Sequence, residues 1–496
     1  MPLSAYKHDW GQFMSSDKAN EYLDDYNKRL EAAEAMLPLI GTLWRDYSVP
    51  TYLYGVPLHL KSPVDLLKAH RSARHLARQE LSAIDTYHAL KTITKLEPQP
   101  ARIDIGKLIV RYQESKQTTS LDSFIESELQ TLPRGQRPMR DTPQDVVLYG
   151  FGRIGRLLAR LLIERMGGGE RFRLRAIVTR PGSADDLSKR ADLLRRDSVH
   201  GPFKGTITLD PDQRGMVING NLVHLIHAKS PDLADYTQFG IDNAVVIDNT
   251  GIWRDRDGLS QHLATKGVAK VILTAPAKGD IPNIVFGVNQ EAASQSADIL
   301  SAASCTTNAI VPVLKAVHER YGIQSGHMQS VHAYTNDQNL IDNFHNKERR
   351  GRAAAMNMVI TETGAAKAVA KVCPELDGKL TANAIRVPTP NVSMAIISVD
   401  LDSATTKDDI NGYLRGLALE GPLQYQIGYT TSVDIVSTDL VGNRHASIID
   451  SHATLVHPNG RKCTLYVWYD NEFGYACQVT RLLEHVAGVR PPVFPR

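Results

Sequence analysis

The chain is 496 residues long. At roughly 100–200 residues per domain that is room for about three domains and excludes a single small module. Its 57 Lys and Arg against 54 Asp and Glu leave a formal charge of +3, and 42% hydrophobic with 22% charged residues excludes a disordered chain or a polycation.

The start, Met1 to Gln12, carries Lys7, His8 and Asp9 where a signal peptide would be apolar. No apolar run approaches the roughly 20 residues that span a bilayer, so a soluble, cytoplasmic protein without a membrane partner is expected. Cys305, Cys373, Cys463 and Cys477 form no CxxC pair, which argues against a disulfide framework or a thiolate metal site and suits a reducing compartment. Residues 1–140 are expected to be an all-helical N-terminal extension. Tyr22, Tyr26, Leu30, Ala33 and Leu37 recur at near-helical spacing after a capping residue at Ser16 or Asp17. Ser62-Pro63-Val64-Asp65 marks a second helix start: a capping hydroxyl, proline at the first position and a carboxylate in the first turn. Leu66, Leu67, His70, Leu76, Ala77 and Leu81 would form its apolar stripe. Lys68, Arg71, Arg74 and Arg78 read as its solvated face, and no nucleic-acid partner is expected.

Between Leu132 and Gln144 three prolines and a glycine interrupt any periodicity, so a linker and a domain boundary belong there. Val146 to Tyr149, Ile154 to Ile163 and Leu174 to Val178 then read as strand, helix and strand, a parallel βαβ unit. Asn243–Ile247 and Val268–Leu273 extend the alternation. Gly150-Phe151-Gly152-Arg153-Ile154-Gly155 falls between the first strand and the helix, where GxGxxG permits a tight turn, close approach of a pyrophosphate and close helix packing. The bland alternative is a packing turn with no ligand. An NAD site usually carries an acid at the end of the second strand, but here that strand ends Val178-Thr179-Arg180-Pro181. A guanidinium there can pair with a 2′-phosphate, so NADP, NAD or both are the expected cofactors; an exposed Arg without a role is the competing reading.

Further on, Ser304-Cys305-Thr306-Thr307-Asn308 opens a helical run from Ala309 to Val317. A thiol at a helix mouth can be lowered from about 8.5 into the range 3.5–7.5, although a packed, inert thiol is what composition alone favours. His332, after Met328-Gln329-Ser330-Val331, is a candidate partner, since imidazole can hold a thiolate and exchange protons with a reacting group. The other three cysteines lack such a setting.

From Val146 to about Val489 the chain resembles phosphorylating glyceraldehyde-3-phosphate dehydrogenase, in a long form with a helical extension. The resemblance rests on Gly150 to Arg156, Asp197-Ser198-Val199-His200-Gly201, Ala303 to Asn308 and Val331-His332-Ala333-Tyr334-Thr335-Asn336-Asp337-Gln338. It continues through Thr363-Gly364-Ala365-Ala366-Lys367-Ala368-Val369, Arg386 to Ser393 and Trp468-Tyr469-Asp470-Asn471-Glu472-Phe473-Gly474-Tyr475. It implies an α/β fold: a Rossmann-type dinucleotide-binding domain over 141–304, to which a C-terminal helix 471–496 returns, and an α+β catalytic domain over 305–470. It implies that Cys305 attacks the aldehyde carbon, that His332 holds the thiolate and then acts as base, and that inorganic phosphate releases the acyl group. Thr335 and Arg386 would bind the substrate phosphate. Ser304, Thr306, Thr363, Gly364 and Arg350 would bind the attacking one. Gly150, Gly152, Arg153, Ile154, Gly155, Arg180, Thr250, Gly251, Asn471 and Tyr475 would form the cofactor site, with Asn471 orienting the nicotinamide amide. The family further implies a homotetramer of glycolysis or gluconeogenesis acting on a phosphorylated aldehyde.

Several residues depart from the family pattern. Tyr149 replaces an Asn before the first glycine, Thr179-Arg180 replaces Asn-Asp, and Asn343-Phe344 stands where NAD-specific members have Leu-Pro. Ile360 and Glu362 replace Pro and a small hydroxyl residue ahead of Thr363. Erythrose-4-phosphate dehydrogenase shares this scaffold, and a regulatory or scaffold protein on the same fold is the reading from another class.

Overall fold

The computed structural model describes residues 16–115, 118–135, 138–183, 185–293 and 297–495, without the side chains of Ser16 and Asp17. The Met1–Gln12 reading and the choice of Ser16 or Asp17 as cap therefore lie outside the described residues. Two compact units result, one built from the described residues up to 135 together with 491–495, the other from Pro138–Arg490. No helix among the described residues is long and apolar enough to cross a membrane.

In the first unit the helices are Ser16–Arg45, Pro63–Ala77, Ala83–Lys95, Ile105–Glu114 and Leu121–Glu128. Ser62 caps the second as its sequence predicts, its hydroxyl accepting from the Asp65 N–H at 3.2 Å. Leu66 and His70 are buried on that helix with Ala69 and Ala73, while Lys68, Arg71 and Arg78 are exposed. Of the stripe the spacing of the first helix suggests, Ala33 is buried and Leu30 half-buried. Ala33, Met36, Ile40 and Leu43 enter the core, whereas Tyr22 stays 65% exposed and Tyr26 and Leu37 also face water. Both stripes step by three and four residues, and burial follows the aliphatic one over the tyrosines.

To these helices the structure adds a small sheet in the order Val56–Pro57, Thr51–Leu53, Arg102–Asp104, Val493–Phe494. Strands of two or three residues show no alternation, so periodicity could not announce them. The last strand corrects the assignment of 471–496 to the nucleotide domain. Helix Phe473–Val486 does pack in that domain's core, but Pro491 and Pro492 end any helical continuation, Arg102 N–H donates to the Pro492 carbonyl at 2.8 Å, and Phe494 is 1% exposed in the N-terminal core. A truncation beginning at Asp141 is therefore expected to keep its turnover but to leave Phe494 uncovered. It should scatter light and self-associate more than a variant trimmed also at Arg490; equal behaviour of the two would show that the strand pairing contributes nothing.

Among the described residues the second unit holds two eight-stranded sheets. In the first, Ile299–Ser301, Val268–Leu273, Ala244–Asp248, Gln144–Tyr149, Phe172–Thr179 and Asn221–His227 run parallel, followed by the antiparallel Gly215–Ile218 and Ile207–Asp210. Val146, Val147 and Leu148 are fully buried, as a strand covered on both faces requires. The strand order reverses on either side of Gln144–Tyr149, the place where open α/β sheets receive ligands beyond their strand ends. Helix Arg153–Arg165 buries Leu157, Leu158, Leu161 and Leu162 in one core with Val479, Leu482 and Leu483 of the C-terminal helix.

The second sheet runs Val359–Thr361, Leu380–Val387, Ile323–Ala333, Ser393–Leu401, Lys462–Tyr469, Ser447–Asp450, Ile427–Thr430, with Leu455–Val456 beside Lys462–Tyr469. Helix Cys305–Tyr321 lies on it through Val311, Leu314 and Val317, which share a core with Ile397, Val399 and Leu465. The alternating burial of Ser393–Leu401 is the period-two pattern of a strand with one face inward.

Candidate active site

Cys305 is the first residue of its helix, and Ser304 caps it by accepting from the Thr307 N–H at 3.0 Å. The turn before it is braced from several sides. Ala303 is held at φ +54°, a conformation costly for a residue with a Cβ, and its carbonyl accepts the Tyr475 hydroxyl at 2.9 Å. Asn308 Nδ2 donates to the carbonyls of Ala302 and Ser304 at 2.8 and 2.9 Å. Tyr475, expected at the cofactor, thus has its hydroxyl committed to the cysteine turn.

The half-buried Cys305 Sγ lies 3.5 Å from His332 Nε2. His332 Nδ1 is 2.6 Å from the Ala333 carbonyl. The same Nδ1 lies 2.9 Å from Arg386 Nη1, so it faces a carbonyl that can only accept and a guanidinium that can only donate; a proton on Nδ1 suits the shorter contact and leaves the Nε2 lone pair to the sulfur. Parallel register between Ile323–Ala333 and Leu380–Val387 sets His332 opposite Arg386. Arg386 Nη1 donates to the Ala333 carbonyl at 3.0 Å and to Thr335 Oγ1 at 3.3 Å, and its Nε is buried with no partner among the described residues. A buried guanidinium N–H without an acceptor is what an anion subsite requires.

Burial pushes the Cys305 thiol up, although the Arg386 charge and hydrogen bonds at Thr306 pull the other way. His332 is pulled down to about 3, first by burial and then by the charge on Arg386. The protein alone therefore favours a neutral thiol beside a neutral imidazole, not the standing thiolate expected from the helix mouth. At Cys305, desolvation outweighs the opposing Arg386 charge and hydrogen bonds.

Around this pair, Thr306 Oγ1 meets the Tyr469 hydroxyl at 3.1 Å, which meets Ser330 Oγ at 2.8 Å. Arg350 is ion-paired to Asp337 and donates to Thr361 Oγ1 from Nε and Nη2 at 3.2 and 3.1 Å; Asp337 also accepts the Thr335 hydroxyl. Burial would raise Asp337, but the Thr335 hydroxyl and the Arg350 and Arg386 charges hold it low. Thr363 Oγ1 accepts from the Ala365 N–H at 3.2 Å, and Gly364 caps helix Ala365–Val372 without a side-chain hydrogen bond. Ile360 and Glu362 beside them are exposed. Tyr469, Ser330 and Asp337 had no assigned role in the sequence. Tyr469 meets partners 163 and 139 residues away, which no local pattern marks, whereas Asp337 lies two residues from Thr335 and thirteen from Arg350.

The glycine turn fits a dinucleotide. Gly150 has φ +95°, and a Cβ on Gly155 would stand 2.4 Å from the Gly150 carbonyl oxygen. A Cβ on Gly152 would meet nothing within 4 Å, so that side is open to a ligand. The helix beginning at Arg153 has no side-chain cap, which leaves its first N–H groups free for an anion. Ile154 packs against the domain core and can offer only its backbone. Thr250 gives its N–H and hydroxyl to Asp248 Oδ1, both at 2.7 Å, and Gly251 has φ +65°. The Arg153 side chain turns to Glu472 and Asp197, so at the turn this residue can offer a cofactor its backbone N–H. Arg180 is exposed at the strand end with no hydrogen bond or ion pair among the described residues. Tyr149 is buried edge-on against Trp253 and His262, at ring distances of 5.6 and 4.7 Å. Asn471 accepts the Ser393 hydroxyl on Oδ1 at 2.8 Å. Its Nδ2 has no partner among the described residues.

Residues 144–256 match the family model for the glyceraldehyde 3-phosphate dehydrogenase NAD-binding domain, and residues 304–471 match the model for its C-terminal domain. A glyceraldehyde-3-phosphate dehydrogenase-like protein of Pseudomonas aeruginosa (strain UCBPP-PA14) is 54% identical over 463 residues, 93% of this chain and 100% of that one, an alignment that reaches into the N-terminal extension. The glyceraldehyde-3-phosphate dehydrogenases of Zymomonas mobilis and Borreliella burgdorferi are each 39% identical, covering 67% and 68% of this chain and 95% and 98% of their own.

Proposed function

Since the chain belongs to the glyceraldehyde-3-phosphate dehydrogenase family and carries its NAD-binding domain, we propose that it oxidises glyceraldehyde 3-phosphate reversibly to 1,3-bisphosphoglycerate through a thiohemiacetal and a thioester on Cys305. The observation that carries this reading is the 3.5 Å approach of Cys305 Sγ to His332 Nε2.

The pair starts neutral, so the thiol proton passes to His332 Nε2 as sulfur attacks the aldehyde carbon, and the imidazolium returns it to the new alkoxide. Arg386 is placed to stabilise charge on sulfur while the proton is away. Bound at the glycine turn, with Asn471 Nδ2 to hold its carboxamide, NAD supplies the hydride acceptor. His332 then takes the thiohemiacetal hydroxyl proton as C1 rises to the oxidation level of a thioester. Phosphate attacks that thioester, the thiolate of Cys305 leaves, and the acyl phosphate keeps the energy that hydrolysis would dissipate. Arg386 and Thr335 are the proposed holders of the substrate phosphate. Ser304, Thr306, Arg350, Thr363 and Gly364 are those of the attacking one. Steady-state assays with glyceraldehyde 3-phosphate and erythrose 4-phosphate, each with and without inorganic phosphate, test the reading. Phosphate-dependent turnover that favours the three-carbon aldehyde supports it, and a preference for the four-carbon aldehyde contradicts it.

NADP is proposed as an accepted cofactor because Arg180, exposed and unpaired among the described residues, follows the strand that usually ends in an acid. Arg180→Ala is expected to lower kcat/KM for NADP about tenfold and to leave NAD nearly unchanged. A hundredfold preference of the unaltered enzyme for NAD would contradict this. A homotetramer is proposed on the family's precedent and on the exposed Leu340, Ile341, Phe344, Met356 and Met358, with Phe344 86% exposed. A cytoplasmic site of action in glycolysis or gluconeogenesis is proposed on the same precedent and on the four free thiols.

A further inference from the structure

Four charged or titratable side chains from three separate segments meet in a buried cluster that the chemistry above does not use. Arg153, the first residue of the glycine-turn helix, donates to both carboxylate oxygens of Glu472 and reaches Asp197 at 3.3 Å. His200 Nε2 lies 3.0 Å from Glu472 Oε2. Asp197 closes its own turn by accepting from the N–H groups of Val199 and His200, both at 2.9 Å. Burial would raise Glu472, but Arg153 and His200 hold it in the ionised state.

Glu472 directly follows Asn471. The residue on the other side, Asp470, accepts from the N–H groups of Glu472 and Phe473 at 2.9 and 2.8 Å and from Asn391 Nδ2 at 3.0 Å. The turn is therefore clamped on both flanks, and Asn471, 6% exposed, is fixed between the clamps with Ser393 on its oxygen and its Nδ2 unpartnered among the described residues. A buried ion cluster of this kind is a poor way to gain stability, because taking the charges out of water costs about as much as pairing them returns. What it supplies is direction. A carboxylate gripped by a guanidinium fork and an imidazole has one orientation, and the backbone bearing it has little freedom.

We propose that Arg153, Glu472 and His200 are positioning residues that fix Asn471 for the nicotinamide carboxamide, an inference that rests on the cofactor reading above.

The test compares two ligands that differ only in the nicotinamide. Titrations of the full-length protein and of Glu472→Gln with NAD and with ADP-ribose, read by intrinsic fluorescence or calorimetry, should show NAD binding weakened about tenfold and ADP-ribose binding within about twofold of the unaltered protein. His200→Asn removes only one of the contacts to Glu472 and should show the same selectivity at about threefold, which covers the case in which Glu472→Gln does not fold. A merely structural role would weaken both ligands alike, and that result, or no change in either, overturns the inference. A full-length, unaltered protein that binds neither NAD nor NADP overturns the cofactor reading and this inference with it. Tight NAD binding by the unaltered protein with no selective loss in the variants overturns this inference alone.

Discussion

Cys305→Ala is expected to lower kcat by about four orders of magnitude or more while leaving the fold intact. The covalent route splits one difficult oxidation into addition, hydride loss and phosphate attack, and none of these has a substitute nucleophile in the site. The nearby hydroxyls cannot stand in. Thr306 is hydrogen-bonded to Tyr469, and Ser304 is engaged in capping the helix through Thr307. Neither has a base beside it. Because Cys305 is half-buried at a helix start, its loss should change stability by less than about 1 kcal/mol. Activity and melting temperature measured on one preparation separate the two effects. Retained turnover in a folded Cys305→Ala protein would exclude the covalent route.

His332→Asn is expected to cost roughly 10²–10⁴-fold in kcat, the usual worth of a positioned acid–base group. Asparagine can still donate to the Ala333 carbonyl, so the loss would report the missing Nε2 and not a collapsed site. A second readout follows from the depressed histidine. Above the ordinary imidazole value near 6.5 the ring is neutral in both folded and unfolded chains and contributes no pH dependence. As the pH falls from there toward about 3, the unfolded chain binds a proton that the folded one refuses, and stability is lost. The slope approaches ~1.4 kcal/mol per pH unit for this group. Urea midpoints at pH 6.5 and pH 4.5 should therefore fall further in the unaltered protein than in His332→Asn. Equal losses would mean that His332 is not buried as a neutral ring. Iodoacetamide should label Cys305 slowly at neutral pH and faster as the pH is raised, since burial raises the thiol.

Local grammar made part of this structure legible. The glycine turn declares itself because GxGxxG is tied to backbone shape, and Gly155, whose Cβ would strike the Gly150 carbonyl, has no alternative residue. Ser62-Pro63 and Ser304-Cys305 were readable as helix starts because capping is a matter of three or four neighbouring residues. Nothing local could reveal that Val493–Phe494 completes a sheet with Arg102–Asp104, because strands that short have no periodicity and their pairing spans nearly the whole chain. The direction of the Arg153 side chain is likewise beyond local reading, because the carboxylate of Glu472 that receives it lies far along the sequence. Tyr475 went to the Ala303 carbonyl for a similar reason. At Cys305 the helix start that lowers a thiol is visible in sequence, whereas the burial that raises it depends on the packed fold.

Trapping the acyl enzyme tests the covalent account most directly. The full-length protein mixed with glyceraldehyde 3-phosphate and NAD without inorganic phosphate should release about one equivalent of reduced cofactor per active site and carry, by peptide mass spectrometry, a 3-phosphoglyceroyl group on Cys305. Adding phosphate should discharge that group as the acyl phosphate and restore turnover. Reduced cofactor formed continuously without phosphate, or a burst with Cys305 unmodified, would contradict it.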